Sequence, residues 1–220
     1  MRDTIRSLAE GNKIAFLLSS IFLLSIGYPL AEMGDIAALV YLGIYIVVVC
    51  SFIYLVSGSR VLLVVNILLA VVITLLALIN IINDPAPLVL AVAWNISGLL
   101  QQFLIVALLV AFIIESEVVT RQVLYAGVAI YFSMATFFAT LYNLIELMSP
   151  GAFLASTGAA ITPTNLTYFS LVTLSTLGYG DIIPVAPVAQ SLAVLQASVG
   201  TLYIAILIGR FVSLYQHDAA

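Results

Sequence analysis

Thr176-Leu177-Gly178-Tyr179-Gly180-Asp181 is the stretch on which the fold of this chain turns. Two glycines flanking a tyrosine allow backbone conformations that ordinary residues resist. They let successive carbonyls point the same way, which neither a helix nor a strand does. The residues before it read as a short helix. Thr162 followed by Pro163 is a capping residue with proline at the first helical position. A helix over 162–175 is roughly 20 Å long. Its apolar run, Leu166 to Leu174, is too short to cross a bilayer and suits a re-entrant segment. After the glycines, Pro184 and Pro187 break the chain before the last apolar stretch.

The rest of the chain supplies a membrane setting. Of 220 residues, 64% are hydrophobic and only 7% are charged. A water-facing domain carries roughly a quarter charged residues, so this composition cannot cover a soluble surface. Disorder is excluded by the hydrophobicity. A disulfide scaffold is excluded by a single cysteine, Cys50, which reads as a small packing residue. A nucleic-acid partner is excluded by a net charge of −4. Crossing about 30 Å of hydrocarbon takes roughly 20 apolar residues, and six stretches qualify: 13–31, 36–56, 61–82, 88–114, 122–147 and 186–213. The fold class is therefore an all-α membrane protein of six spanning helices, with a re-entrant helix and glycine-rich loop between the fifth and sixth. The first span lacks a small-residue cleavage site and is expected to be retained.

Basic residues set the expected orientation. Arg2, Arg6, Lys13, Arg60, Arg121 and Arg210 all fall on one side of a six-span arrangement, which should be cytoplasmic. Glu32, Asp35, Asp84, Glu146 and Asp181 fall on the other, along with the prolines. Both termini are then expected in the cytoplasm and the protein in the cell membrane. Three parts follow: a cytoplasmic N-terminus over 1–12, a four-helix unit over 13–114, and a pore unit over 115–215. The last contains an outer helix at 121–147, the short helix at 162–175, the loop at 176–180 and an inner helix at 186–213. No room is left in this sequence for a soluble ligand-binding module.

Physically, four copies of the loop around an axis would stack rings of carbonyl oxygens from Thr176, Leu177, Gly178 and Tyr179, with the Thr176 hydroxyls innermost. Such rings replace the hydration shell of a potassium ion. Irregular backbone at membrane depth is tolerated where it lines such a cavity. The C-terminal end of the short helix would aim partial negative charge at the same cation.

Over Asn165 to about Tyr215 the chain resembles the tetrameric potassium channels, including bacterial six-helix members. Its TLGYGD stands where the family has TVGYGD, with Leu177 for valine at a residue that lends its carbonyl. The resemblance implies a selectivity filter of Thr176, Leu177, Gly178, Tyr179 and Gly180. It implies support from Tyr168, Phe169, Thr173, Ser175 and Asp181, from Glu146 at the outer end of the fifth span, and a gating hinge at Gly200. It also implies a homotetramer in lipid that takes potassium ions as cargo and needs no cofactor.

The family's voltage-gated members carry arginines along the fourth span. Here Val61 to Thr120 holds no Lys or Arg, and 88–114 holds no charge at all. Helices one to four keep the place of a voltage sensor without its charges, so weak or absent voltage dependence is expected. Gating is left to lipid, tension, protons or an unidentified partner. Asn66, Asn80, Asn95, Gln101 and Gln102 are expected to hydrogen-bond between helices. Asn165-Leu-Thr is a glycosylation sequon too near the membrane to be a good acceptor, and His217 reads as solvated. Two other functions remain open: a subunit of a potassium uptake system, and a non-conducting regulatory subunit. No His, Asp or Glu cluster in the spans suggests an enzyme.

Overall fold

A computed structural model of the chain describes Leu8, residues 12–82 and residues 87–218. Arg2, Arg6 and most of the N-terminal segment, with Asp84 and Pro85, lie outside the described residues. So do the side chains of Asn80 and His217.

Helix α1 (Lys13–Gly27) tightens into a 3-10 turn over Tyr28–Glu32, where Pro29 cannot donate to the α ladder. Then come α2 (Asp35–Leu55), α3 (Arg60–Ile82), α4 (Leu88–Glu115) and α5 (Arg121–Met148). A short strand β1 (Phe153–Ala155) leads to α6 (Pro163–Leu174), strand β2 (Ile182–Pro184) and the last helix, α7 (Pro187–Asp218). The six helices α1–α5 and α7 are long and apolar enough to cross a membrane. Helix α6 has 12 residues, about 18 Å at 1.5 Å each, and stops short of a crossing. The chain is an all-α membrane protein apart from one strand pair among the described residues.

Two differences from the sequence expectation stand out. Helix α7 continues to Asp218 rather than ending near 213, because nothing after Pro187 breaks a helix and polar residues alone do not stop one. The strand pair has no counterpart in the sequence reading. β1 and β2 are antiparallel, with Phe153 opposite Pro184, Leu154 opposite Ile183 and Ala155 opposite Ile182. Phe153 and Ile182 are buried while Leu154 and Ile183 are exposed. Three residues of alternation are too few to register as a pattern.

Helix α5 organises the packing. Helices α1 and α4 both lie against it, α2 packs on α1, and α3 packs on α4. Its N-terminal half joins a core with Leu17 and Ile21 of α1, Phe52 of α2, and Ile105 and Leu109 of α4. Its C-terminal half joins a second core with Phe153, Leu166, Phe169, Ile182 and Ala189. Polar side chains pair across helices. Gln101 Nε2 donates to Asn66 Oδ1 (3.4 Å), Asn143 Nδ2 to Asn95 Oδ1 (2.9 Å) and Gln102 Nε2 to Thr140 Oγ1 (3.4 Å). These bonds link α3 to α4 and α4 to α5 at a depth where water offers no substitute.

Candidate functional site

The site is built on α6. A capping box starts this helix: Thr162 Oγ1 accepts from the Asn165 N–H (3.2 Å), and Asn165 Oδ1 accepts from the Thr162 N–H (3.1 Å). Pro163 occupies the first turn, where its missing donor costs nothing. Asn165 is therefore committed to the cap, which is a structural use for the sequon residue.

The other end folds back on itself. The N–H groups of Ser175, Thr176 and Leu177 donate to the carbonyls of Leu171 (3.1 Å), Thr173 (3.1 Å) and Val172 (3.0 Å). Ser175 Oγ also donates to the Leu171 carbonyl (2.8 Å). The amides that open the loop are thus consumed by the helix end. Ser175 and Thr173 act here at the junction, Thr173 through its carbonyl.

From that junction the backbone alternates. Thr176, Gly178 and Gly180 have φ of +59°, +58° and +77°, while the intervening Leu177 and Tyr179 do not. Alternation between left- and right-handed dihedrals turns successive peptide planes so that their carbonyls share a side. Glycine tolerates this at 178 and 180. Thr176 does not, and it is the one non-glycine with positive φ among the described residues. Such a conformation costs of order 1–3 kcal/mol and persists where surroundings hold it. The side chains of Leu177 and Tyr179 are 57% and 66% exposed in the subunit.

The far end of the loop is held in place. Tyr168 Oη donates to Asp181 Oδ2 (2.8 Å), and Asp181 Oδ1 accepts from the Ile182 N–H (3.1 Å). The Asp181 carbonyl accepts from the Ser156 N–H (2.7 Å), continuing the β1–β2 ladder. Donation to Asp181 pushes the Tyr168 phenol up to about 12. Phe169 points the other way, into a triangle with Tyr142 (5.1 Å) and Phe153 (5.4 Å), all meeting edge to face.

Glu146 and Gly200 sit away from the loop. Glu146 accepts from the Gly151 N–H (2.7 Å) and the Phe153 N–H (3.1 Å). It pins the turn after α5 at the start of β1. Gly200 lies buried in an unbroken α7. A Cβ there would come within 2.7 Å of Leu174 Cδ1 and 3.0 Å of the Leu174 carbonyl. The structure uses this glycine to bring α7 against the end of α6.

Sequence reasoning missed a buried polar chain behind the loop. Tyr142 Oη donates to Gln196 Oε1 (2.5 Å), Gln196 Nε2 donates to the Ser170 carbonyl (3.0 Å) and Oγ (2.7 Å), and Ser170 Oγ donates to the Ala135 carbonyl (2.6 Å). The available signal was Gln196, an amide flanked by apolar residues well inside the last span.

Residues 138–217 match the family model described as ion channel, a segment running from Phe138 on α5 through the loop to the end of α7. No curated protein and no solved structure matches the chain. The chain is thus an all-α membrane protein whose residues 138–217 are similar to an ion-channel family.

Proposed function

We propose that this chain is one subunit of a homotetrameric, potassium-selective channel. It conducts passively across the cell membrane, with both termini cytoplasmic. The observation that carries this is the alternation of left-handed φ at Thr176, Gly178 and Gly180, directly after a helix too short to cross the membrane. It frees the carbonyls of Thr176, Leu177, Gly178 and Tyr179 to face one axis, where oxygen rings can stand in for the water around potassium. One chain supplies one quarter of such a ring, so closure needs four. Exposure of Leu177 and Tyr179, and a helix α7 of which only 11% is buried within the subunit, are consistent with surfaces covered by further copies and lipid.

In this assembly α5, α6 and α7 surround the axis, while α1–α4 form an outer unit in the position of a voltage sensor. Steep voltage opening needs several charges moving through the field. Helix α4 carries no charged residue from Leu88 to Ile114, so the channel opens with weak or no voltage dependence. An intact loop argues against a non-conducting subunit, and a single loop per chain against an uptake-system subunit. The test is rubidium uptake into proteoliposomes holding the purified protein, with native mass spectrometry of the same sample. Uptake by a tetramer supports the proposal; absence of uptake, or monomers and dimers alone, contradicts it.

A further inference from the structure

Arg210 stands near the cytoplasmic end of α7, where the sequence assigns it only a share in orienting the chain. In the structure it reaches another helix. Helix α4 ends at Glu115, and Ser116 leaves it with an extended backbone (φ −74°, ψ 129°). The last carbonyls of any α-helix lack intrahelical donors. Arg210 Nη2 supplies one to both the Ile114 carbonyl (3.0 Å) and the Ser116 carbonyl (2.8 Å). A cation at the negative end of a helix dipole adds to those bonds.

This contact joins parts that otherwise meet little. Helix α7 packs chiefly on α5, α6 and β2. Among the described residues, Arg210 makes a hydrogen-bonded link from α7 to the α1–α4 unit. Two turns earlier, Tyr203 Oη donates to the Gly127 carbonyl of α5 (2.7 Å). Leu207 packs so closely on Gly127 that a Cβ there would lie 3.0 Å from its Cδ2. The cytoplasmic half of α7 is therefore tied to α5 through Tyr203 and Leu207 and to the end of α4 through Arg210, while Leu202, Ile206 and Val212 stay exposed.

We propose that Arg210, bonded to the end of α4, holds the cytoplasmic end of α7 outward and so favours the conducting arrangement of the pore. This rests on the channel function proposed above. The charge-poor α1–α4 unit then serves as a fixed outer post to which the inner helix is tied. Anything that shifts α4 in the bilayer would reach the pore through this positioning residue.

The test combines a distance with a flux. Spin labels at Val212→Cys, in a Cys50→Ser background, report the separation of α7 ends across the assembled protein in nanodiscs. Arg210→Gln should shorten that separation by several ångströms and reduce rubidium flux about tenfold, the effect of a population shift worth ~1.4 kcal/mol. Potassium-over-sodium selectivity should not change. Arg210→Lys should restore both readouts, since one nitrogen serves both carbonyls. Arg210→Gln with Ser213→Arg keeps the orienting charge but moves it, and should restore neither. Should Arg210→Gln fail to assemble, Tyr203→Phe loosens the same end more mildly and should shorten the same distance. Unchanged distances, or rescue by the relocated arginine, would overturn the proposal. A distance that shifts on mutation in a protein whose wild type conducts nothing would instead overturn the channel function.

Discussion

Gln196 on α7 donates through one nitrogen to both the carbonyl (3.0 Å) and the hydroxyl (2.7 Å) of Ser170 on α6. Both residues are fully buried. Tyr142 completes the chain on one side and the Ala135 carbonyl on the other, so three helices are joined where neither lipid nor bulk water can compete. A connected polar chain of this kind fixes one arrangement, because any slip leaves a buried group without a partner.

Gln196→Leu removes the central member and leaves the Tyr142 hydroxyl and Ser170 without their donor or acceptor. A buried polar group stripped of its partner costs about 1–3 kcal/mol. We expect a lower melting temperature and a larger fall than for Ser170→Ala, which deletes the hydroxyl but keeps the Ser170 carbonyl as an acceptor for Gln196. Thermal unfolding of the purified variants in detergent measures this. Equal melting temperatures for Gln196→Leu and wild type would contradict it.

Gly200→Ala places a methyl 2.7 Å from Leu174 Cδ1 and 3.0 Å from the Leu174 carbonyl. The side chain can move but the carbonyl ends α6, so the helix end must shift with it. Overpacking of this kind costs about 1–3 kcal/mol, and here it displaces the residue two before the loop. Reduced flux and a lowered melting temperature are expected. Gly98→Ala is the control, since nothing lies within 4 Å of its Cβ position. If both variants behave alike, the close approach of α7 to α6 has no consequence.

Some of this was legible in the sequence because it rests on local rules. Thr162-Pro163 announces a helix start, and the structure places the cap and first turn there. Apolar length locates the spans, since hydrocarbon thickness sets it. Gly178 and Gly180 announce unusual backbone because few other residues tolerate it. What could not be read depends on contacts between distant segments. Thr176 takes positive φ although its side chain disfavours it, because the end of α6 dictates the turn. Gln196 meets Ser170 across 26 positions, and Arg210 meets Ile114 across 96. The strand pair is set by where Glu146 folds the turn after α5. Gly200 looks like a bending point in isolation, and its close contact with Leu174 of α6 cannot be read there.

Gly178→Asp should abolish conduction. Its φ of +58° suits glycine, and an aspartate there would add both a strained side chain and a charge where carbonyls are proposed to face the ion. Rubidium uptake at the level of protein-free vesicles is expected, from a variant that still assembles. Uptake equal to wild type would place the ion path elsewhere.

Tyr168→Phe deletes the bond to Asp181 and leaves the far end of the loop held by the Asp181 carboxylate's bond to the Ile182 N–H and by backbone contacts. A shielded hydrogen bond to a charged group contributes about 1.5–3 kcal/mol, and access of water at this end lowers that figure. The Tyr168 phenol is pushed from its usual value up to about 12 by donating to Asp181. With the folded value raised, the bond's contribution is fully present below pH 10 and is lost as pH rises through about 12. The stability difference between wild type and Tyr168→Phe should therefore stay constant between about pH 6 and pH 9. A difference that vanishes within that range would mean the phenol is not the group involved.

The alternating backbone at 176–180 is proposed to make a potassium-selective path, and every other functional statement depends on it. Bi-ionic reversal potentials in planar bilayers, with potassium on one side and sodium on the other, test it most directly. A large displacement from zero in the direction of potassium permeation is expected. A reversal potential near zero would contradict it.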